Sequence, residues 1–418
     1  MAVTTGPRAP RTDRGGQRPW LGQWNSSVTS YYLLVGASGL LLVFGLVMVL
    51  SSSTVTSIAD GESPYAEFLR QGQFVLLGLP VMLVATRLPV RVYKALAWPG
   101  LFVAVALQSL TFVPAFALSK GGNTGWIGFG SFTMQPAEVG KLVLAVWLGT
   151  VLGRKHHLLG SWKHAFLPAV PGAGLLLVLV LGGRDLGTAM IVAALVAGAF
   201  WVAGAPAKML AVLGGSAATV VLYLFLFSAS HGGNRLNRIS AAYGECTDVQ
   251  GTCYQALHGM YGLGTGGLFG VGLGASREKW KYLPEAHNDF VYAIIGEELG
   301  LFGTLMVLML FVVLGVAMSR VVRRHPDPFV KVTTAAVGCW VVGQAFLNIG
   351  VVIGVLPVIG VPLPLVSAGG SALVTTMAAL GMVISFARTE PGAEQALAAR
   401  GSAVRRSLAV VGRGRGRR

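Results

Sequence analysis

Residues 332–387 read VTTAAVGCWVVGQAFLNIGVVIGVLPVIGVPLPLVSAGGSALVTTMAALGMVISFA, 56 positions without one Asp, Glu, Lys or Arg. As a single straight helix this stretch would run about 84 Å, well over two bilayer cores, so it has to hold two membrane spans. Pro357, Gly360, Pro362, Pro364, Gly369 and Gly370 break the helix between them. Lipid offers no partner for a backbone N–H or C=O, so spans of this kind are helices and not open strands.

Charge-free runs recur at 21–59, 95–119 and 209–234. Together with shorter apolar runs they predict an all-α polytopic membrane protein of about ten helices. These lie near 31–51, 71–86, 95–114, 136–153, 165–182, 187–204, 209–228 and 291–318, with two more in 332–387. Only 11% of the 418 residues are charged and 54% are apolar, which excludes an ordinary soluble protein. The net charge of +16 does not form a nucleic-acid surface, because the Lys and Arg residues flank the apolar runs instead of gathering in one domain. With the N-terminus inside, cytoplasmic segments carry 23 of the 32 Lys and Arg, outer segments 8, and Lys141 lies within a span. Both termini are therefore expected in the cytoplasm, and the longest loop, about 229–288, outside, between helices 7 and 8. The expected organisation is an N-terminal segment 1–24 and a basic tail 389–418, both disordered in water, on either side of a ten-helix domain 25–388. The tail either meets anionic lipid or a cytoplasmic partner, or only fixes the topology.

Ionisable groups at membrane depth are costly and mark candidate functional positions. Glu138 and Lys141 sit three apart on one helix face. They either tie helices together as a salt bridge or line a polar cavity. Asp185, beside Arg184 in a Gly-Gly-Arg-Asp-Leu-Gly break, reads as a local turn or pair. Gly262, Gly264 and Gly267 fit G-x-G-x-x-G, but no strand precedes them, so the dinucleotide reading is rejected in favour of close helix packing. Asp289 opens the eighth span at the outer interface, where its carboxylate serves either as a helix cap or as a reacting group on a lipid-linked substrate. His287 beside it is a weaker candidate, as a proton carrier. Cys246 and Cys253 face the oxidising side, as a disulfide or as two thiols, and Cys339 reads as packing. No H-E-x-x-H, Walker A or G-x-S-x-G motif is present, and three cysteines provide no metal cluster.

The run from Tyr282 through Leu-Pro-Glu-Ala-His-Asn-Asp-Phe to Ile294-Ile-Gly-Glu-Glu-Leu-Gly300 resembles the signature of the SEDS family (shape, elongation, division and sporulation) of peptidoglycan polymerases. Further matches are Gln135-Pro-Ala-Glu-Val-Gly-Lys141, Asp185-Leu-Gly-Thr188, Arg235-Leu-Asn-Arg-Ile239 and Pro362-Leu-Pro-Leu-Val-Ser-Ala-Gly-Gly-Ser371, so the resemblance covers about residues 31–388. The wording is most similar to the division branch of the family, with the elongation paralogue next.

The resemblance implies the SEDS fold and a glycosyltransferase that joins lipid II units outside the cytoplasmic membrane at the division septum, with Asp289 as the essential carboxylate. A base within reach of an acceptor hydroxyl can take its proton as it attacks the anomeric carbon. The leaving lipid pyrophosphate is already a stable anion, so cations and not a paired acid are needed there. Arg235, Arg238, Arg277, Lys279, Lys281 and Lys141 are the candidates, with a divalent cation (Mg or Mn) as an option. Glu138, His287, Ser367 and Ser371 complete the expected substrate-binding set. The implied partners are a class B penicillin-binding protein and other divisome membrane proteins. A lipid II flippase, a non-catalytic divisome scaffold and an elongation polymerase are the alternatives. The chain departs from the family pattern at Ala137 for Ser, Ala368 for an aromatic, Asn288 for Thr, and Asn123-Thr-Gly125, where an Arg is usual.

Overall fold

The computed structural model describes residues 26–120, 123–130, 132–230, 253–280 and 282–399. The N-terminal segment 1–24 and the tail beyond 399 lie outside the described residues, as does Cys246. Helices occupy all ten intervals predicted from the apolar runs. They are α1 (Thr29–Ala59), α2 (Ala66–Ala85), α3 (Val90–Ser109), α4 (Pro136–Arg154), α6 (Ala169–Gly182), α7 (Leu186–Ala203), α8 (Ala207–Ser230), α10 (Val291–Arg324), α11 (Pro328–Val352) and α12 (Gly370–Arg388). Two shorter helices are interposed, α5 (Trp162–Phe166) and α9 (Tyr254–Gly266). Among the described residues, eight helices are long and apolar enough to cross a membrane, and α6 is a shorter apolar helix of 14 residues.

Burial separates the centre from the rim. The apolar windows of α4, α12 and α11 are 78%, 72% and 61% buried, against 22% for α2 and 28% for α3. Large side chains such as Leu76, Leu83 and Phe102 consequently face outward, where lipid tails receive them at no hydrophobic cost. α12 packs along α2, α11 along α7, α4 and α10, and α10 along α1.

Two departures from the expected helices bear on the site. Between α3 and α4 the chain forms an antiparallel sheet of β1 (Ala117–Lys120), β2 (Asn123–Phe129) and β3 (Phe132–Met134), in the order 1-2-3. This segment connects two spans, so the rule against open strands in hydrocarbon does not reach it. Thr124 N–H donates to Gly183 O at 3.0 Å, which fastens the sheet to the turn between α6 and α7.

The eighth span, expected as one helix over 291–318, is broken at Gly300 (φ 67°, ψ −161°). A side chain there would meet backbone, since a Cβ would lie 2.4 Å from Gly270 N and 2.5 Å from Leu268 O. The break frees backbone groups that must find partners, and the segment after α9 supplies them. Val271 and Gly272 N–H donate to Glu297 and Glu298 O at 2.9 and 3.0 Å, and Leu301 N–H donates to Gly267 O at 2.9 Å.

The first part of the tail also differs from expectation. Glu390 and Ala393 are buried, so the chain just past α12 is packed and not free in water. Burial raises the Glu390 carboxyl, and the positive charges of Arg324 and Arg320 near it oppose that rise.

Candidate active site around Asp289

The residues leading into α10 are held by their backbone. Three consecutive carbonyls each take a hydrogen bond from the α11–α12 half of the chain. Ala368 N–H donates to His287 O at 2.9 Å, Ser367 Oγ to Asn288 O at 2.7 Å, and Asn348 Nδ2 to Asp289 O at 2.7 Å. The N-cap position of α10 is Phe290, and no side chain caps it. Asp289 is thus not the N-cap residue of α10; it is half-buried, and its carboxylate reaches the turn at Gly360. Gly360 has φ 75°, and a methyl group built on it would come within 3.4 Å of Asp289 Oδ2.

The Pro- and Gly-rich connector between α11 and α12 is thus the wall of the site, and polar side chains from α11 and α2 hold it. Asn348 Nδ2 also donates to Val361 O at 2.7 Å, and Gln344 Nε2 donates to Pro362 O at 2.9 Å. Gln71 of α2 donates to Ser367 O and accepts from Gly369 N–H, both at 3.2 Å. Ser367 Oγ, besides its bond to Asn288 O, accepts from Leu363 N–H at 2.8 Å. Leu365 sits in the left-handed region at φ 66°, a conformation that costs a non-glycine residue on the order of 1–3 kcal/mol and gathers at functional loops.

Glu138 and Lys141 belong to the same network. Lys141 Nζ donates to Glu138 Oε1 at 2.9 Å and to Gln344 Oε1 at 3.0 Å, and lies 5.0 Å from the centre of the Trp340 ring. Lys141 is 1% exposed, so its ammonium works inside the bundle, one residue removed from the Pro362 carbonyl. Ser371 Oγ accepts from Gln135 N–H at 3.2 Å, and Gln135 Nε2 reaches Asp185 Oδ2 at 2.6 Å. Asp185 caps α7 by accepting from Thr188 N–H at 2.9 Å, which accounts for that residue as a turn.

The basic residues behave differently. Lys279 Nζ donates to Glu298 Oε1 at 3.0 Å, Gly274 O at 2.7 Å and Ser51 O at 3.3 Å, so its three donors are all engaged within the protein. Arg277 gives its backbone N–H to Glu297 Oε1 at 2.8 Å and leaves its side chain exposed. Glu297 also accepts from Ser276 Oγ and from Glu278 N–H, clamping residues 276–278. Arg235, Arg238 and Lys281 lie outside the described residues. Among the described residues no group of three or more His, Cys, Asp or Glu side chains is gathered that could hold a metal ion.

His258 Nδ1 of α9 meets Glu278 Oε2 at 2.6 Å, and burial raises the Glu278 carboxyl. Cys253, just before α9, is disulfide-bonded, and Cys339 is free. Gly259, Gly262 and Gly266 form the face of α9 that meets α10, which agrees with close packing for the glycine-rich stretch but at a partly different set of glycines.

Gln71, Gln344 and Asn348 build the site although none of them stood out in the sequence, and Glu297 and Glu298 entered there only as part of a motif. A signal was present for two of them: Trp340, Gln344 and Asn348 recur at four-residue spacing along an otherwise uncharged span, which is one helix face carrying polar groups at membrane depth.

Comparison with known proteins agrees with this fold. The model of the family described as cell cycle protein, covering FtsW, RodA and SpoVE, matches residues 31–391. A protein of Mycobacterium tuberculosis named probable peptidoglycan glycosyltransferase FtsW is 38% identical over 398 residues, 95% of this chain and 74% of that one. Stage V sporulation protein E of Bacillus subtilis is 33% identical over 360 residues, 85% of this chain and 96% of that one. Among solved structures, a chain from work on structural coordination of polymerization and crosslinking by a peptidoglycan synthase complex is similar with a TM-score of 0.68 at 25% identity, over 85% of this chain and 96% of that one. RodA of Thermus thermophilus gives 0.63 at 25% identity, over 86% and 97%. With the family model spanning the ten-helix bundle and every site element described above, the chain belongs to the FtsW, RodA and SpoVE family of cell cycle proteins.

Proposed function

We propose that this integral membrane protein polymerises lipid II into glycan strands on the outer side of the cytoplasmic membrane, during division, with Asp289 as the general base. It is a peptidoglycan glycosyltransferase by family, and its FtsW relatives carry that name. The observation that supports the role of Asp289 is the backbone tether. Three carbonyls at 287–289 are fixed while the carboxylate itself stays half-buried beside a glycine turn. Such an arrangement holds the backbone of a base in one place.

In the step proposed, Asp289 removes the proton of an acceptor sugar hydroxyl as its oxygen attacks the donor's anomeric carbon. The new C–O bond forms as the bond to the lipid pyrophosphate breaks, and that group leaves with the bonding electrons. The exposed Arg277 guanidinium, with Arg235, Arg238 and Lys281, is the proposed source of positive charge for the departing anion. Lys141, Glu138, Ser367 and Ser371 act behind the site, by supporting the connector and the start of α4. His287 is proposed at the substrate edge. A class B penicillin-binding protein is the proposed partner, cross-linking the strands, with other divisome proteins alongside and both termini in the cytoplasm.

Purified wild type and Asp289→Asn, incubated with lipid II with and without the cognate transpeptidase, test this reading on glycan gels. Wild type is expected to give ladders, alone or with the partner, and Asp289→Asn none. Equal ladders from both would remove Asp289 from the chemistry. No ladders under any condition, with lipid II transport intact, would favour a flippase, and without transport a scaffold.

A further inference from the structure

We propose that Asn348 is a positioning residue for the polymerase reaction, bridging Asp289 to the Gly360 turn so that the carboxylate keeps one place; this rests on the reading of Asp289 as the base. A single side-chain NH2 donates to Asp289 O and to Val361 O, both at 2.7 Å. One bond holds the backbone of the base itself. The other holds the residue next to Gly360, on which a Cβ would come within 3.4 Å of Asp289 Oδ2. Asn348 therefore holds Asp289 and the turn at Gly360 that faces its carboxylate in one register.

Two acceptors on one nitrogen also fix the orientation of the amide, because only the NH2 end can serve two carbonyls. The other end is unused. Asn348 Oδ1 is buried and makes no hydrogen bond among the described residues, while the residue as a whole is 2% exposed. A buried acceptor left unmet is costly, so the position is occupied for its donor. Gln344, one turn earlier, contrasts with it. Its Oε1 accepts from Lys141 and Trp340 while its Nε2 donates to Pro362 O, as expected of a residue built into a polar core. Ser367 and Ala368 secure residues 287 and 288 independently, so loss of Asn348 removes the tether on the Asp289 carbonyl without releasing the whole segment.

Turnover and not substrate affinity should suffer when this bridge is lost. Asn348→Asp keeps the size and removes the NH2, Asn348→Ala removes both ends, and Asn348→Ser is the mildest variant, leaving a shorter hydroxyl. Each is purified with the cognate transpeptidase and assayed against lipid II concentration, with thermal unfolding measured on the same samples. The expected result is a kcat reduced about 10- to 100-fold in Asn348→Asp and Asn348→Ala with KM within about twofold of wild type, since a shift near 1 Å in a reacting group costs up to about 100-fold. Asn348→Ser falls between, and supplies the measurement if the other two do not fold. A kcat within about threefold of wild type in the folded variants would overturn the proposal, as would a raised KM at unchanged kcat. Asp289→Asn runs in parallel. If it retains wild-type turnover, the reading of Asp289 itself fails; if it is inactive while the Asn348 variants are normal, only the positioning role fails.

Discussion

Replacing Lys279 with Met separates a structural role for that residue from the substrate-binding role its position in the sequence suggested. Lys279 is 5% exposed and Glu298 is fully buried, with Nζ and Oε1 3.0 Å apart. Removing one member of such a pair leaves a buried charge without compensation, at about 3–5 kcal/mol. The structure puts Lys279→Met in that range, because the stranded carboxylate would retain only Ser51 Oγ, at 2.8 and 2.6 Å. Gly274 O and Ser51 O would lose their donor as well. The damage falls between α1 and α10, which the pair joins through Ser51. Lys279→Met combined with Glu298→Gln leaves no buried charge, and the amide oxygen introduced by the second change still accepts from Ser51 Oγ. The double variant should therefore return to within about 1–2 kcal/mol of wild type.

Thermal unfolding in detergent at one scan rate measures this, since membrane proteins often unfold irreversibly and only matched scans compare. The single variant should lose on the order of 5–15 °C, and the double variant should recover most of it. A single variant as stable as wild type, or a double variant worse than the two singles combined, would refute the argument. Polymerisation by the folded fraction gives a second reading: KM for lipid II should stay at the wild-type value. A raised KM with unchanged unfolding would return Lys279 to the substrate.

Two further outcomes follow from the geometry. Gly266→Ala should destabilise the protein by about 1–3 kcal/mol, because its Cβ would lie 1.9 Å from Gly296 O and within 3 Å of further backbone. Gly264→Ala, two positions away with nothing within 4 Å, should be neutral or slightly stabilising, and matched unfolding scans of the two variants check the contrast. His325, between α10 and α11, accepts the Asp327 N–H on Nδ1 at 3.1 Å, and burial holds its imidazole below the ordinary histidine value of 6.5. A lowered base stabilises the fold above that ordinary value and loses its contribution as pH falls through the lowered one. The advantage of wild type over His325→Asn in unfolding temperature should therefore be full at about pH 7.5 and shrink below about pH 6.5; an advantage constant with pH would show that the imidazole's protonation plays no part.

The sequence determined the number and places of the ten apolar helices, because lipid permits few solutions for a long uncharged run and each such run must become a helix. It also located Asp289, through its place in an ordered set of motifs, and the spacing of Glu138 and Lys141 on one face. What it left open was which of these groups face a substrate and which face the protein. Lys279 and Ser367 read as substrate ligands in the sequence, and in the fold the first closes a buried ion pair while the second holds a carbonyl beside the base. Asn348 and Gln71 drew no attention as single amides in apolar helices, although they hold the connector that walls the site. The break at Gly300 and the sheet after α3 were hidden for the same reason. Helix periodicity and span length are local properties of the chain, whereas a hydrogen-bond partner 59 or 296 positions away exists only once tertiary packing has brought the two residues together.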